Sequence, residues 1–372
     1  MRYFFSSGEA SGELSAVLLA QAIRRYDPEA EFEGIGAQRM RDEGFKLWRD
    51  HTGWASMGPL AAIPRIPKLL AAMWQTAAHI SHARPDLAVL VDFGVFNVRL
   101  AKELRTRYKY TGPIIDVFPP ATWLDKEKTA QEVSAHAVPL TAFQHQYDFY
   151  KSQQLPIVYF GHPLASQYET RPARSVPSSE AGTVALLPGS RSGELRYHVP
   201  ALVAAYKLLK ERRPHLRGVF GAANNKSEAQ IARAIARAKL QDVSIVRGVP
   251  AAVANADAAW VASGTAVLET ALLGVPVVAL YIIAPVLVRH ARSVYSGKYI
   301  TLPNLVLDRS VVPEILQTDA TPENLAAAMD EVLSDPLTQY DAFLELRRKL
   351  GPPDALDRCA KFCVALAKAG KL

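Results

Sequence analysis

Cysteine is scarce in this chain. The 372 residues include two, Cys359 and Cys363, which lie four apart on a segment with helical spacing. Adjacent turns of a helix are a poor geometry for a disulfide, and two thiols alone do not make a metal site. The sequence therefore predicts a protein of a reducing compartment, the cytoplasm, without a disulfide framework.

Long hydrophobic runs are also missing, and we expect no targeting segment. The most apolar stretch, Val275 to Val288, is too short to cross a bilayer and contains two prolines. Arg2–Ser6 is typical of a first strand rather than of a signal peptide. The net charge of +7 favours acidic partners, but no Lys/Arg stripe interleaved with aromatic residues is present, so we expect no nucleic acid.

Short apolar strands alternate with amphipathic helices along the whole chain, which is the pattern of parallel α/β sheets. The stretch Arg171–Gly182 lacks apolar periodicity and indicates a linker. We expect two doubly wound, Rossmann-like α/β domains facing a central cleft, at residues 1–172 and 173–347, with a C-terminal helix at 348–372 packed back on the first. The strands are predicted at Tyr3–Ser6, Glu31–Ile35, Leu87–Val91, Ile114–Val117, Ala137–Leu140, Val158–Phe160, Val184–Leu187, Arg217–Gly221, Val243–Val246, Ala258–Val261, Val277–Leu280 and Ser310–Val312.

Leu186–Glu194 places a glycine, a hydroxyl and an arginine where an apolar strand turns into a helix. Backbone N–H groups at a helix start are unpaired and carry the positive end of the helix dipole. Arginine can bind two phosphate oxygens at once, so Ser190 and Arg191 predict a phosphate site. The alternative is an ordinary Pro-Gly turn with a surface arginine, and the spacing is not that of a P-loop.

A second corner of the same kind follows the apolar strand Ala258–Val261. Ser263 is a natural N-cap, Gly264 lets a ligand approach the backbone, and Thr265 opens the helix. Glu269 lies about one and a half turns further on, within reach of a sugar diol, although a displaced capping box would explain it as well. Two such corners in successive strand–helix units predict a nucleotide-sugar site.

Six segments follow one another along almost the whole chain: Ser7–Glu13, Asp92 with Asn97, Phe160–Pro163, Leu186–Arg191 with Glu194, Ser263–Glu269, and Leu302–Leu305 with Glu314. In their order and spacing they resemble the signature of lipid-A-disaccharide synthases. The resemblance implies a GT-B glycosyltransferase that joins a UDP-2,3-diacylglucosamine donor to 2,3-diacylglucosamine 1-phosphate, forming a β-1,6-linked disaccharide and UDP.

The resemblance also implies roles for individual residues. Asp92, which follows the strand Leu87–Val91, is the expected catalytic base, and Glu9 is a second carboxylate of the same region. A cap for the following helix is the alternative for Asp92. Because Arg191 and nearby amides can take the leaving charge and no Asp-x-Asp pair is present, we expect neither a metal nor a cofactor. The expected substrate-binding residues are Ser11, Asn97, Ser190, Arg191, Glu194, Ser263, Gly264, Thr265, Glu269, Asn304 and Glu314.

Two segments depart from the family pattern. Gly94 and Val95 stand where a proline and a second aspartate are usual, and Phe118–Lys128 replaces a Ser-Pro-x-x-Trp-Ala-Trp segment and adds Asp125 and Glu127. Both belong to the acceptor side, so a related enzyme with another acceptor stays open. A UDP-sugar epimerase and a catalytically silent nucleotide-sugar-binding homologue are further hypotheses.

The apolar stretch Trp54–Trp74 is flanked by tryptophans and contains Arg65 and Lys68. This composition favours an interfacial segment that contacts anionic lipid, and it predicts peripheral association with the inner membrane. A buried helix with a proline-rich entry is the alternative. The sequence leaves a homo-oligomer open. The expected lipid contacts are Met57, Leu60, Ile63, Ile66, Leu69 and Met73.

Overall fold

The computed structural model describes residues 1–52, 54, 66–120, 127–170, 172, 181–285, 288 and 297–370. It divides into two compact units, the first formed by Met1–Gln167 with Leu350–Leu372 and the second by Tyr168–Lys349. Each unit contains one parallel sheet flanked by helices, which is the GT-B class of α/β fold. Within the described ranges, no helix is long and apolar enough to cross a membrane.

The first unit contains a sheet of seven strands in the order β3-β2-β1-β4-β5-β6-β7. All its strands are parallel, but the order in which successive strands are added reverses between β1 and β4. Ligands of such sheets bind beyond the carboxyl ends of the strands at that reversal point. The strands are β1 (Arg2–Ser7), β2 (Glu31–Gly36), β3 (Lys46–Asp50), β4 (Leu87–Val91), β5 (Ile114–Val117), β6 (Val138–Thr141) and β7 (Val158–Tyr159). The helices are α1 (Ala10–Arg24), α2 (Gln38–Asp42), α3 (Ile66–Ala83), α4 (Gly94–Thr106), α5 (Glu127–His136), α6 (Gln144–Ser152), α7 (Pro163–Gln167) and α15 (Ala355–Ala369).

The second unit contains six parallel strands in the order β10-β9-β8-β11-β12-β13, and the order of strand addition reverses between β8 and β11. The strands are β8 (Ala181–Leu187), β9 (His215–Ala222), β10 (Val243–Arg247), β11 (Ala258–Ala262), β12 (Val277–Tyr281) and β13 (Glu314–Leu316). The helices are α8 (Ser192–Arg212), α9 (Asn225–Ala238), α10 (Val249–Val253), α11 (Thr265–Leu272), α12 (Leu302–Leu307), α13 (Pro322–Ser334) and α14 (Pro336–Lys349), with a 3-10 turn at Gln317–Asp319.

Continuous apolar strands form the centre of each sheet, because helices cover both faces of a parallel sheet. All five residues of β4 and all five of β11 are buried. Trp260 of β11 is fully buried, and its indole Nε1 donates to the Leu325 carbonyl at 3.0 Å. The last helix, α15, packs on α1, and Arg25 forms an ion pair with Asp357.

The predicted strands differ from the structure in two places. The strand expected at Ser310–Val312 lies four residues later, at Glu314–Leu316, because the backbone N–H groups of Val311 and Val312 donate to the Asn304 side chain instead. Strand β3 was not predicted at all. Its sequence, KLWRD, includes three charged residues, and its register against β2 shifts at a bulge.

The stretch Trp54–Trp74 is described only at Trp54 and from Ile66 onward, so the predicted contacts at Met57, Leu60 and Ile63 lie outside the described residues. Met73 is 3% exposed and belongs to the core of the first unit, so its predicted contact with lipid is wrong. Ile66 and Trp74 are 43% and 45% exposed and lie two turns apart on α3. The outer face of this helix therefore keeps an apolar stripe.

Candidate active site

The first turn of α1 meets the residue after β4 at the reversal point of the first sheet. The Ser11 hydroxyl donates to Asp92 Oδ2 at 2.8 Å, and the Asp92 amide donates to the Val117 carbonyl of β5. Asp92 has a φ of +41°, a left-handed backbone that aspartate tolerates better than most residues. Residues held in such conformations cluster at functional sites.

Two glycines let α1 approach Asp92 closely. A Cβ on Gly12 would lie 3.0 Å from the Val91 carbonyl oxygen and 3.4 Å from the Asp92 Cβ. A Cβ on Gly8 would clash with the ring of Phe93. The Ser-Gly-x-x-Ser-Gly spacing of Ser7–Gly12 therefore brings Ser11 within hydrogen-bond distance of the Asp92 carboxylate.

Asp92 does not occupy the capping position of the helix that follows it. Helix α4 begins at Gly94 and has Phe93 as its N-cap. The alternative interpretation of Asp92 as the N-cap is therefore wrong. Its carboxylate lies one residue before the cap, half-buried and bonded to Ser11.

The other residues expected in this region lie in two different settings. Glu9 is the N-cap residue of α1 and is partly exposed. Asn97 is 1% exposed; its Oδ1 accepts from the Ser6 hydroxyl at 2.7 Å. The structure thus gives Asn97 a role in joining α4 to β1, and its predicted contact with substrate remains a prediction.

A second carboxyl group interacts electrostatically with Asp92, and nothing in its local sequence marks it as functional. Asp116 of β5 is 2% exposed and pairs in register with Leu90, two residues before Asp92. Burial raises the pKa of Asp116 to about 8, and the charge of Asp92 adds to the rise. Buried carboxyl groups of this kind are enriched at functional sites, because protonated and ionised forms are then both within reach near neutral pH.

In the second unit, β8 ends in a tight turn closed by Glu194. Gly189 has a φ of +101°, and a Cβ there would lie 2.7 Å from Glu194 Oε2. Arg191 is the N-cap residue of α8; its backbone N–H and its Nη1 both donate to the Glu194 carboxylate, the latter at 2.8 Å. Glu194 thus fixes the arginine next to the helix start, while Arg191 keeps about a third of its side chain exposed.

The second corner follows β11. Gly264, not Ser263, is the N-cap residue of α11, so the predicted capping role of Ser263 is wrong. Gly264 is exposed, with a φ of +151° and no atom within 4 Å of a Cβ built on it. The Ser263 hydroxyl donates to the Ile300 carbonyl at 3.4 Å, and Thr265 begins the helix. A glycine with empty space around it lets a phosphate approach the backbone N–H groups at the start of a helix.

Glu269 lies in α11 and is 7% exposed. The hydroxyl of Tyr168 donates to its Oε1 at 2.5 Å, so the displaced capping box is not what holds this carboxylate. Arg347 in turn bonds the Tyr168 and Leu272 carbonyls and the Thr170 hydroxyl, which fixes residues 168–170 against α11. The role of Tyr168 could not be found from the sequence, because its partner is 101 residues away.

Asn304 and Glu314 form one buried network. Asn304 Oδ1 accepts from the N–H groups of Val311 and Val312, and its Nδ2 donates to Glu314 Oε1 at 2.9 Å. Glu314 Oε1 also accepts from the Thr301 amide and hydroxyl. Both residues shape the 300–314 segment, and direct contact with substrate, which the resemblance implies for them, remains a prediction.

Two parallel sheets with polar corners at both reversal points define a class: GT-B proteins, which include glycosyltransferases and epimerases. The solved structure of a UDP-GlcNAc 2-epimerase from Neisseria meningitidis, bound to UDP-GlcNAc, has a TM-score of 0.61 at 11% identity and covers 99% of this chain and 100% of that one. CalG4, the calicheamicin glycosyltransferase, has a TM-score of 0.59 at 13% identity and covers 99% and 98%. At these identities the likeness shows the fold.

The family is shown by the sequence comparisons. The family model for lipid-A-disaccharide synthetase matches residues 3–350. The lipid-A-disaccharide synthases of Syntrophus aciditrophicus and Myxococcus xanthus are 31% and 32% identical, and each alignment covers at least 97% of both chains. The chain belongs to the lipid-A-disaccharide synthetase family and is a glycosyltransferase.

Proposed function

We propose that this protein transfers 2,3-diacylglucosamine, with inversion, from UDP-2,3-diacylglucosamine to 2,3-diacylglucosamine 1-phosphate. The products are a β-1,6-linked disaccharide and UDP. The observation that carries this proposal is the Ser11–Asp92 pair, which presents a carboxylate at the reversal point of the first sheet in a chain of this family.

The donor is assigned to the second unit. The backbone at Ser190 and the guanidinium of Arg191 bind the diphosphate, and the open start of α11 at Gly264 and Thr265 contributes further N–H groups. Glu269, held by its hydrogen bond from Tyr168, is the assigned acceptor for the ribose diol.

The chemical step is a single displacement. Asp92 accepts the proton of the acceptor 6-hydroxyl as that oxygen forms a bond to the anomeric carbon of the donor. The bond from that carbon to the diphosphate breaks, and UDP leaves with the electron pair. Arg191 and the amides at the start of α8 stabilise the charge that develops on the leaving diphosphate. Ser11 holds the carboxylate of Asp92 in place between turnovers.

Peripheral contact with the inner membrane is part of the proposal, since both substrates are acylated. Ile66 and Trp74 form an exposed apolar stripe on α3, and Lys68 is exposed in the first turn of that helix. A helix that carries both an apolar stripe and an exposed cation suits the headgroup region of an anionic bilayer.

The test is to incubate the protein with UDP-2,3-diacylglucosamine, with and without 2,3-diacylglucosamine 1-phosphate, and to resolve the products by mass. The proposal expects the disaccharide and UDP only when both substrates are present. A donor sugar altered without acceptor would favour an epimerase. No turnover at all, with UDP still bound, would favour a silent nucleotide-sugar-binding homologue.

A further inference from the structure

A buried histidine lies directly behind the first corner of the second unit. His198, on α8, is fully buried. Its Nδ1 lies 2.8 Å from the Pro188 carbonyl oxygen, and its Nε2 lies 2.9 Å from the backbone nitrogen of Ile282. Both ring nitrogens are therefore bonded to the main chain of two different loops.

These two partners determine the protonation state of the ring. A carbonyl oxygen can only accept and an amide N–H can only donate, so Nδ1 carries the hydrogen and Nε2 is bare. A second proton on Nε2 would point at the Ile282 N–H and break that bond. Burial lowers the pKa of His198, against opposing effects of the Pro188 carbonyl and the Glu194 carboxylate, so the ring stays neutral near neutral pH.

The two loops lie on either side of the second corner. In the sheet order β8-β11-β12, Pro188 follows β8, Ile282 follows β12, and Gly264 follows the strand between them. One imidazole thus spans the ends of two strands that are not neighbours. The next residue, Ile283, donates to the side chain of Gln317 after β13 at 3.2 Å, which extends the connection by one more strand.

We infer that His198 is a positioning residue for the donor diphosphate. Its two hydrogen bonds fix the position of the turn at Pro188–Ser190 relative to the loop after β12. This inference rests on the proposed function, which places the diphosphate on that turn. An apolar side chain of similar size would fill the space but remove these partners from the buried Pro188 carbonyl and the partly buried Ile282 amide. A turn fixed before the ligand arrives loses less freedom on binding, so the benefit should appear in phosphate affinity.

The experiment measures the dissociation constants of UMP and UDP by calorimetry in the full-length protein and in three variants. The gain in affinity from UMP to UDP measures the contribution of the second phosphate to binding. His198→Leu removes both hydrogen bonds and should reduce this gain about tenfold. His198→Asn can place its Nδ2 near the position of the histidine Nδ1, so it should restore most of the gain.

The matched control is Tyr206→Phe, further along the same helix. Tyr206 is 1% exposed, and its single hydroxyl hydrogen is shared between the Leu216 and Asp242 carbonyl oxygens, each 3.1 Å away. The variant therefore also loses hydrogen bonding inside the unit, but away from the corner. Its thermal stability should fall while the gain from UMP to UDP stays at the wild-type value. An unchanged gain in His198→Leu, or an equal loss in Tyr206→Phe, would overturn the inference. Failure of the wild-type protein to bind UDP would instead refute the proposed donor site.

Discussion

The Ser11 hydroxyl donates to the carboxylate of Asp92 at 2.8 Å, although the two residues are 81 positions apart in the chain. The bond joins the first turn of α1 to the residue after β4, at the reversal point of the first sheet. It orients one oxygen of the carboxylate.

Asp92→Asn should lower turnover by about 10²–10⁴-fold, because the amide keeps the shape of the side chain but cannot act as a general base. Asparagine also tolerates a positive φ, so the loop should fold as before. UDP affinity, assigned to the second unit, should stay nearly constant. Steady-state rates with saturating acceptor and calorimetry with UDP check both parts.

The matched control for this variant is Asp308→Asn, an exposed aspartate that also has a positive φ, of +52°. It should keep normal turnover. Near-normal turnover in Asp92→Asn would give Asp92 a structural role and move the search for the base to Glu9.

Arg191→Ala should weaken UDP binding by about 1.5–3 kcal/mol, the range for a hydrogen bond to a charged group. Part of that loss reflects Glu194, which would lose its ion pair while buried. Combining Arg191→Ala with Glu194→Gln separates the two contributions. Arg247→Ala is the control, since Arg247 forms an exposed ion pair with Glu228 in the same unit. Unchanged UDP affinity in Arg191→Ala would remove the assigned role.

Asp116 should make the stability of the protein depend on pH. Its pKa is about 8 in the folded protein against 3.8 ordinarily, so the folded state holds a proton that the unfolded chain has released. Stability from this group is complete below about pH 4 and is lost as pH rises through about 8. Asp116→Asn does not titrate, so its free energy of unfolding should fall less between about pH 5 and pH 9.

Urea unfolding of both proteins at the two pH values measures this difference. Asp42→Asn, at an exposed aspartate of the same unit, should follow the wild-type slope. Parallel slopes in wild type and Asp116→Asn would show that the buried carboxyl does not titrate in this range.

The apolar stripe on α3 should contribute to membrane binding. Replacing Ile66 and Trp74 with serine should reduce cosedimentation with vesicles of phosphatidylethanolamine and phosphatidylglycerol, because the bilayer would bury less apolar surface. Leu337→Ser with Leu344→Ser is the control, since these leucines are 49% and 37% exposed on α14 of the other unit. UDP binding should be spared in both pairs. If wild-type protein does not sediment, or if salt alone releases it completely, the stripe has no such role.

Much of the fold could be predicted because parallel strands that are covered on both faces have continuous apolar sequences. The residues LAVLV of β4 and AAWVA of β11 have no other simple interpretation. The sequence does not predict β3, because edge strands tolerate charge and three of its five residues are charged, which leaves only Leu47 and Trp48 as an apolar signal. The predicted position of the strand at Glu314–Leu316 is four residues too early, because nothing in the local sequence shows that the preceding amides donate to the Asn304 side chain.

The site could be predicted only where its chemistry is local. Glycines and hydroxyls at the ends of strands carry their own signal, so both corners of the second unit were found. Contacts between residues far apart in the chain leave no such local signal. Tyr168 bonds Glu269 across 101 positions, and His198 bonds Ile282 across 84 positions. The same limit explains Asn97 and Asn304, whose motifs were recognised while their internal hydrogen bonds were not.

The burial of Trp260 provides a natural spectroscopic probe. Of the five tryptophans, it alone lies within Tyr168–Lys349, and its indole N–H is bonded inside the core rather than to water. Its emission should be shifted to the blue, and a move to longer wavelengths on denaturation would report melting of this unit. Replacing the other four with phenylalanine would leave a chain whose fluorescence follows one sheet only.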